Sequence, residues 1–127
     1  MSEDREWVWI VPKEINFGYQ SQSEYFVHNG KWIVYGQKGL IQDMGSKMLG
    51  LVGKDDILEA KFSKKPALDV PEGHVLGRDH ALIVYCDDRK RDGVREKLKE
   101  ELKVDKMFWK YDRQTLQEIL DGKQKSA

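Results

Sequence analysis

Ala81-Leu82-Ile83-Val84-Tyr85-Cys86, followed at once by Asp87-Asp88, is the stretch on which the fold turns. Six apolar or aromatic residues in a row, without polar alternation, predict a strand covered on both faces and so a central one. Asp87 or Asp88 then stands where a helix N-cap is expected. Val94, Leu98 and Leu102 share one face of a helix predicted over residues 89–102.

Outward from that centre, strands and helices alternate. Trp7 to Val11 is a β-rich run stopped by Pro12. Asn16 to Glu24 is polar and reads as a loop. Asn29-Gly30, between Tyr25-Phe26-Val27 and Trp32-Ile33-Val34-Tyr35, predicts a hairpin turn. Leu40, Ile41, Met44, Met48 and Leu51 recur at helical spacing and predict an amphipathic helix over residues 38–52, with Gly53 as its C-terminal cap. Residues 57–63 read as a strand, with Ile57, Ala60 and Phe62 turned one way and Glu59, Lys61 and Ser63 the other. Residues 64–80, with Pro66, Pro71, Gly73 and Gly77, read as a long loop. A strand over 106–111 meets a helix capped by Asp112, holding Leu116, Ile119 and Leu120 and ending at Gly122, with a frayed tail beyond it. The expected fold is α+β: a curved, mostly antiparallel sheet with helices on one face. A ferredoxin-like arrangement is the alternative.

The 127 residues suit one domain with one core. Twenty-two basic and 22 acidic side chains cancel, which argues against coating nucleic acid or membrane by bulk charge but leaves room for a local basic patch. The 35% of charged residues exceeds the roughly 25% usual in soluble domains, and a thermophilic surface is one reading of it. Cys86 is the single cysteine, so one chain can form no disulfide framework. The acidic N-terminus is unlike a signal peptide, and no apolar run approaches a membrane span of about 18 residues. A cytoplasmic protein is the expectation.

Four groups of residues offer chemistry. Lys31, Lys61 and Lys110 each belong to a predicted strand. If those strands lie together, three ammonium groups converge on a phosphate or carboxylate. The plainer alternative is a solvated face with the lysines paired to Glu59, Asp105 and Asp112. Trp7, Trp9, Trp32 and Trp109 are many for this length, and Trp7 and Trp9 share a strand face. Aromatic faces beside cations hold nucleobases, although tryptophans more often fill cores. His28, His74 and His80 lack metal-ligand spacing. His80, near Arg78, is a candidate anion contact or general acid, or else a surface histidine at a strand entry. Asp87-Asp88-Arg89-Lys90-Arg91 reads chiefly as a helix cap, with cations at a helix start where a bound anion would relieve them. No motif asks for a metal or a cofactor.

Gly30-Lys31-Trp32, Ala60-Lys61-Phe62-Ser63, Val84-Tyr85-Cys86-Asp87-Asp88 and Lys110-Tyr111-Asp112 with Thr115 together resemble the family of the basophilic-leukaemia-expressed protein. The resemblance spans roughly residues 28–115. It implies a fold similar to the cap-binding translation initiation factor. The pattern departs after Thr115, where Leu116–Asp121 reads as a plain amphipathic helix instead of the family's glycine and aromatic. A tandem of tryptophans for sandwiching a methylated guanine has no clear counterpart, so cap binding is not implied.

The expected function is binding of a phosphorylated ligand, a nucleotide or an RNA end. Lys31, Lys61 and Lys110 would contact phosphate, Trp32 or Trp9 would stack, and Asp112 and Thr115 would support Lys110 and the helix start. Ser63 and His80 complete the candidate set. The family's likeness to phosphothreonine lyases implies an alternative, a phosphate-ester enzyme with a lysine base and a histidine acid. A protein-interaction module with an aromatic partner surface is the third.

Overall fold

A computed structural model describes residues 2–12 and 19–125, with side chains as far as residue 121. Six strands form one open antiparallel sheet: β1 (Ser2–Glu3), β2 (Trp7–Ile10), β3 (Asn29–Gly36), β4 (Glu59–Ser63), β5 (His80–Asp87) and β6 (Phe108–Tyr111). Their spatial order is β1-β2-β4-β5-β3-β6. The run around Val84 is indeed interior, with β4 on one side and β3 on the other. Four helices accompany the sheet: α1 (Gln22–His28), α2 (Lys38–Met48), α3 (Arg91–Leu102, after a short 3-10 turn at Asp88–Lys90) and α4 (Asp112–Lys125). The α+β class read from the sequence is the one found. The ferredoxin-like alternative is met in the middle portion: β3-α2-β4-β5-α3-β6 has the spatial order β4-β5-β3-β6, every pair antiparallel, with α2 and α3 on one face as in a split βαβ unit, and β1 and β2 extend that sheet beyond β4.

Strand alternation gives the sheet two different faces. One carries Ile10, Ala60, Leu82, Val84, Cys86, Trp32 and Val34, and packs with Ile41, Met44 and Met48 of α2 and Val94, Leu98 and Leu102 of α3. Burying a side chain such as Leu98 or Ile41 contributes roughly 1.5–3 kcal/mol each, and this face is the main core. Helix α2 lies so close to β4 that a β-carbon on Gly45 would stand 2.5 Å from the Phe62 ring. The other face carries Trp7, Trp9, Lys61, Tyr85, Ile83, Lys31, Ile33 and Phe108, with a smaller buried cluster centred on Ile33, Ala81, Ile83 and Tyr85. Helices α1 and α4 meet β3 and each other at the Lys31 end of the sheet, where the Tyr25 hydroxyl donates to Asp112. No helix among the described residues is long and apolar enough to cross a membrane.

Three local expectations are corrected. Tyr25–Val27 belongs to a helix, not to a hairpin strand. Ser21 and Glu24 stand three apart as a capping pair: Ser21 Oγ accepts from Glu24 N at 3.1 Å, and the Glu24 carboxylate accepts from Gln20 N. Asn29-Gly30 therefore opens β3 instead of turning a hairpin. Helix α4 runs through Gly122 to Lys125, beyond the stop expected at the glycine. Asp112 opens that helix, but its carboxylate is engaged by Lys31 and Tyr25, and the N–H of Tyr111 is held by Gln114 Oε1 at 2.8 Å. The expected polar loop over residues 16–24 falls partly outside the described residues, as does the end of the C-terminal tail.

Candidate functional site

Strand register brings the three lysines to one face of the sheet. Glu59, Tyr85, Lys31 and Lys110 are successive cross-strand partners on β4, β5, β3 and β6. The next row runs Trp9, Lys61, Ile83, Ile33 and Phe108. Because residues directly opposite one another point the same way, these two rows share a surface.

The three ammonium groups have different surroundings. Lys31 is buried, 4% exposed, and pairs with Asp112 Oδ1 at 3.4 Å. Burial lowers its pKa, with Asp112 acting in the opposite direction. Lys110 is bound to Glu118 of α4 at 2.5 Å. Lys61 makes no ion pair among the described residues. Its Nζ lies 4.2 Å from the ring centre of Trp7, 4.5 Å from Trp9 and 5.9 Å from Tyr85. Its pKa is also lowered, first by burial and then by repulsion from Lys31. The Tyr85 ring lies close to both cations, the buried Lys31 and the half-buried Lys61, 5.8 Å from Lys31 Nζ. Trp9 is anchored by its Nε1 donating to Asp4 at 3.2 Å, and its ring lies nearly parallel to that of Tyr85 at 6.4 Å.

A cavity of about 780 Å³ adjoins this face. Tyr19, Tyr25 and Tyr85 line it, with Val11, Pro12 and Leu58 on its apolar side and Asn29 among its polar groups. Glu59 is the one charged residue among the described residues lining it. Burial raises the Glu59 carboxyl above its usual range, and Lys61 opposes that shift. Glu59 and Tyr85 thus belong both to the cavity wall and to the lysine row.

No protein-family model and no curated protein matches the chain. The site is therefore read from its own geometry.

Five of the eight candidate residues reach the shared face or its border: Lys31, Lys61, Ser63, Lys110 and Asp112. Their roles differ from expectation. Asp112 holds Lys31, not Lys110, which is held by Glu118. Thr115 lies in the first turns of α4, its Oγ1 buried and without a hydrogen-bond partner among the described residues. Ser63 lies on the same face by alternation, but its hydroxyl accepts from Ala81 N at 3.0 Å and so ties β4 to β5. Two residues are corrected outright. Trp32 is 7% exposed and belongs to the main core on the opposite face, where its Nε1 donates to Arg91 O at 2.9 Å. It cannot stack on a ligand bound beside Lys61. His80 alternates with Ala81, is 5% exposed and has its Nδ1 3.2 Å from Ser63 O, so it does not face the lysines as an acid.

The second acidic cluster is structural. Ligand atoms of His28, Asp87 and Asp88 lie within 4.8 Å of one another, close enough for a cation. Their oxygens are already engaged, however. Asp87 accepts from Arg89 N at 2.9 Å and pairs with the Arg89 guanidinium, which also meets Glu24. Asp88 accepts from the Tyr111 hydroxyl at 2.8 Å and lies 2.7 Å from His28. The cap reading of Asp87 holds, and Arg89, exposed at the helix start, already has two carboxylates.

Tyr85, Glu59 and Glu118 were missed as site residues. Tyr85 reads as core in a run of apolar neighbours. Glu59 carried a usable signal: spaced two from Lys61 on one strand, it had to share its face.

Proposed function

We propose that the chain binds a phosphorylated ligand, such as a nucleotide or an RNA end, on the lysine-bearing face. Lys61 takes the phosphate, Lys110 stands at the border, and Trp7 and Trp9 offer ring faces to a base. Lys31 is committed to Asp112 and acts through its field. The observation that carries this reading is the state of Lys61: half-buried, ringed by aromatics, and without a carboxylate partner among the described residues. Ions to which nothing internal answers are the ones available to a ligand, and charge-assisted contacts to phosphate are among the stronger hydrogen bonds. The likeness of the lysine-bearing motifs to the initiation-factor-like family points the same way. The lysine-base enzyme would need an acid other than His80, and nothing favours it further.

Titration calorimetry with adenosine monophosphate and a 5′-phosphorylated RNA pentamer tests the reading. Binding weakened roughly tenfold or more by Lys61→Met, about 1.4 kcal/mol, is the expected result. Equal affinity of the wild type and Lys61→Met overturns it. A protein-interaction module remains the second reading, favoured by the exposed Phe26 of α1 and Leu116, Ile119 and Leu120 of α4. Concentration-dependent association in sedimentation, weakened by Leu116→Ser, would support it.

A further inference from the structure

We propose that the tyrosine-lined cavity is a site for a cationic amine, and that the ligand of the whole face is a zwitterion with a phosphate at one end and a positively charged nitrogen at the other. The phosphate half rests on the reading of Lys61 above. The amine half rests on the cavity itself.

The volume of about 780 Å³ lies within the roughly 300–1,000 Å³ of small-molecule sites. Among the described residues its wall combines three aromatic rings, Tyr19, Tyr25 and Tyr85, with one carboxylate, Glu59, and no cation. Aromatic faces attract a positive nitrogen through the ring quadrupole, and a cage of such rings is how quaternary ammonium groups are held. An anion placed there would meet the Glu59 carboxylate inside the cavity, whereas Lys61 offers its ammonium two residues along β4, so the phosphate is better placed at Lys61 than inside.

Glu59 is suited to the task for a further reason. It makes no ion pair among the described residues, and burial disfavours its charge. The charged and titratable groups that act on it are Lys61 of its own strand, Tyr85 of β5, Tyr25 of α1 and Asp112 of α4. Only Lys61 is positive. An ammonium entering the cavity supplies the missing counter-charge without displacing an existing partner.

The two half-sites are also arranged for one molecule. Glu59 and Lys61 are two apart on β4 and face the same way, about 6–7 Å apart along an extended strand. Tyr85 touches both environments, lining the cavity while standing within 6 Å of Lys61 Nζ. A phosphate and an amine joined by a two- or three-atom linker span that separation. Linking the two contacts makes the second one intramolecular and multiplies the affinity.

The probes are choline chloride, sodium phosphate and phosphocholine, titrated into the full chain by calorimetry. Phosphocholine is expected to bind roughly tenfold or more tighter than either choline or phosphate alone. Glu59→Gln is expected to abolish choline binding, to bring phosphocholine down to the level of phosphate, and not to weaken phosphate. Tyr25→Leu, at a partly exposed helix position, is expected to weaken choline in the same way. Lys61→Met is expected to do the reverse, losing phosphate and keeping choline. Phosphate binding without choline binding overturns the amine site and leaves the Lys61 reading standing. Choline binding without phosphate binding overturns the Lys61 reading and the zwitterion, but supports the amine site. Phosphocholine affinity untouched by both Glu59→Gln and Tyr25→Leu overturns the cavity as the place where the amine sits.

Discussion

A β-carbon at position 30 would stand 2.2 Å from Cζ2 of Trp109: the indole of β6 fills the space a side chain of β3 would need. Trp109 in turn meets Trp32 edge-on at 5.2 Å, so Gly30 sets how closely two strands and two indoles fit. Gly30→Ala must push the ring aside or part the strands. Overpacking of this kind typically costs about 1–3 kcal/mol. Chemical denaturation should show that loss, with Gly39→Ala, which meets nothing within 4 Å, as the innocuous control.

Lys61→Met should raise the stability of the protein while it removes phosphate binding. The ammonium is held against burial and against Lys31, both of which lower its pKa. The unfolded chain therefore binds the proton more tightly than the folded one. Folding is disfavoured below the folded pKa, and stability rises with pH through the window between the lowered and the ordinary lysine value. An apolar side chain removes the penalty. A gain near 1 kcal/mol corresponds to a melting temperature higher by roughly 3–6 °C, measurable by calorimetry at pH 7. A lower melting temperature would mean that the aromatic contacts outweigh the burial of charge.

Trp32→Phe should leave ligand affinity unchanged and cost stability. The indole N–H donates to Arg91 O at the start of α3, and a phenyl ring gives up that hydrogen bond along with part of the ring's packing. The loss should be about 1–3 kcal/mol. Trp9→Leu should show the opposite balance, a small stability change with clear loss of nucleotide binding.

Acid should loosen the loop between β4 and β5. Asp79, 1% exposed, accepts from Arg78 Nε at 2.8 Å, from Val75 N at 3.0 Å and from His74. The Arg78 hydrogen bond above all holds its pKa down to about 2, below the ordinary 3.8. A depressed carboxyl stabilises the fold above its unfolded pKa, and that contribution fades as pH falls from about 4 to 2. It amounts to on the order of 2 kcal/mol. Asp79→Asn should flatten this part of the stability profile, followed by tryptophan fluorescence.

Much of this architecture is legible in the sequence because burial leaves a periodic trace. The run Ala81–Cys86 and the spacings of Met44 with Met48 and of Val94 with Leu98 each follow from one side facing the core. At Tyr25–Val27 the aromatic, β-prone residues point to a strand, but the Ser21–Glu24 capping pair sets the local hydrogen bonding and the segment is helical. The site is less legible. That Lys61 shares a face with Glu59 follows from spacing alone. That Lys31 stands opposite both Lys110 and Tyr85 depends on register between distant strands, which no local pattern encodes. Trp32 is legible without register: one residue from Lys31 on β3, it points to the opposite face by period-two alternation, into the main core.

The thiol of Cys86 lies in the middle strand with no exposure, and burial pushes its pKa up to about 12. A single sulfur in that position is a clock. Thiolate reagents find it only when β5 separates from its neighbours, so the rate of its labelling counts openings of the sheet. With no second cysteine to compete, the unaltered protein carries its own reporter of how often its centre comes apart. Any ligand that binds the folded face should slow that clock in proportion to its occupancy.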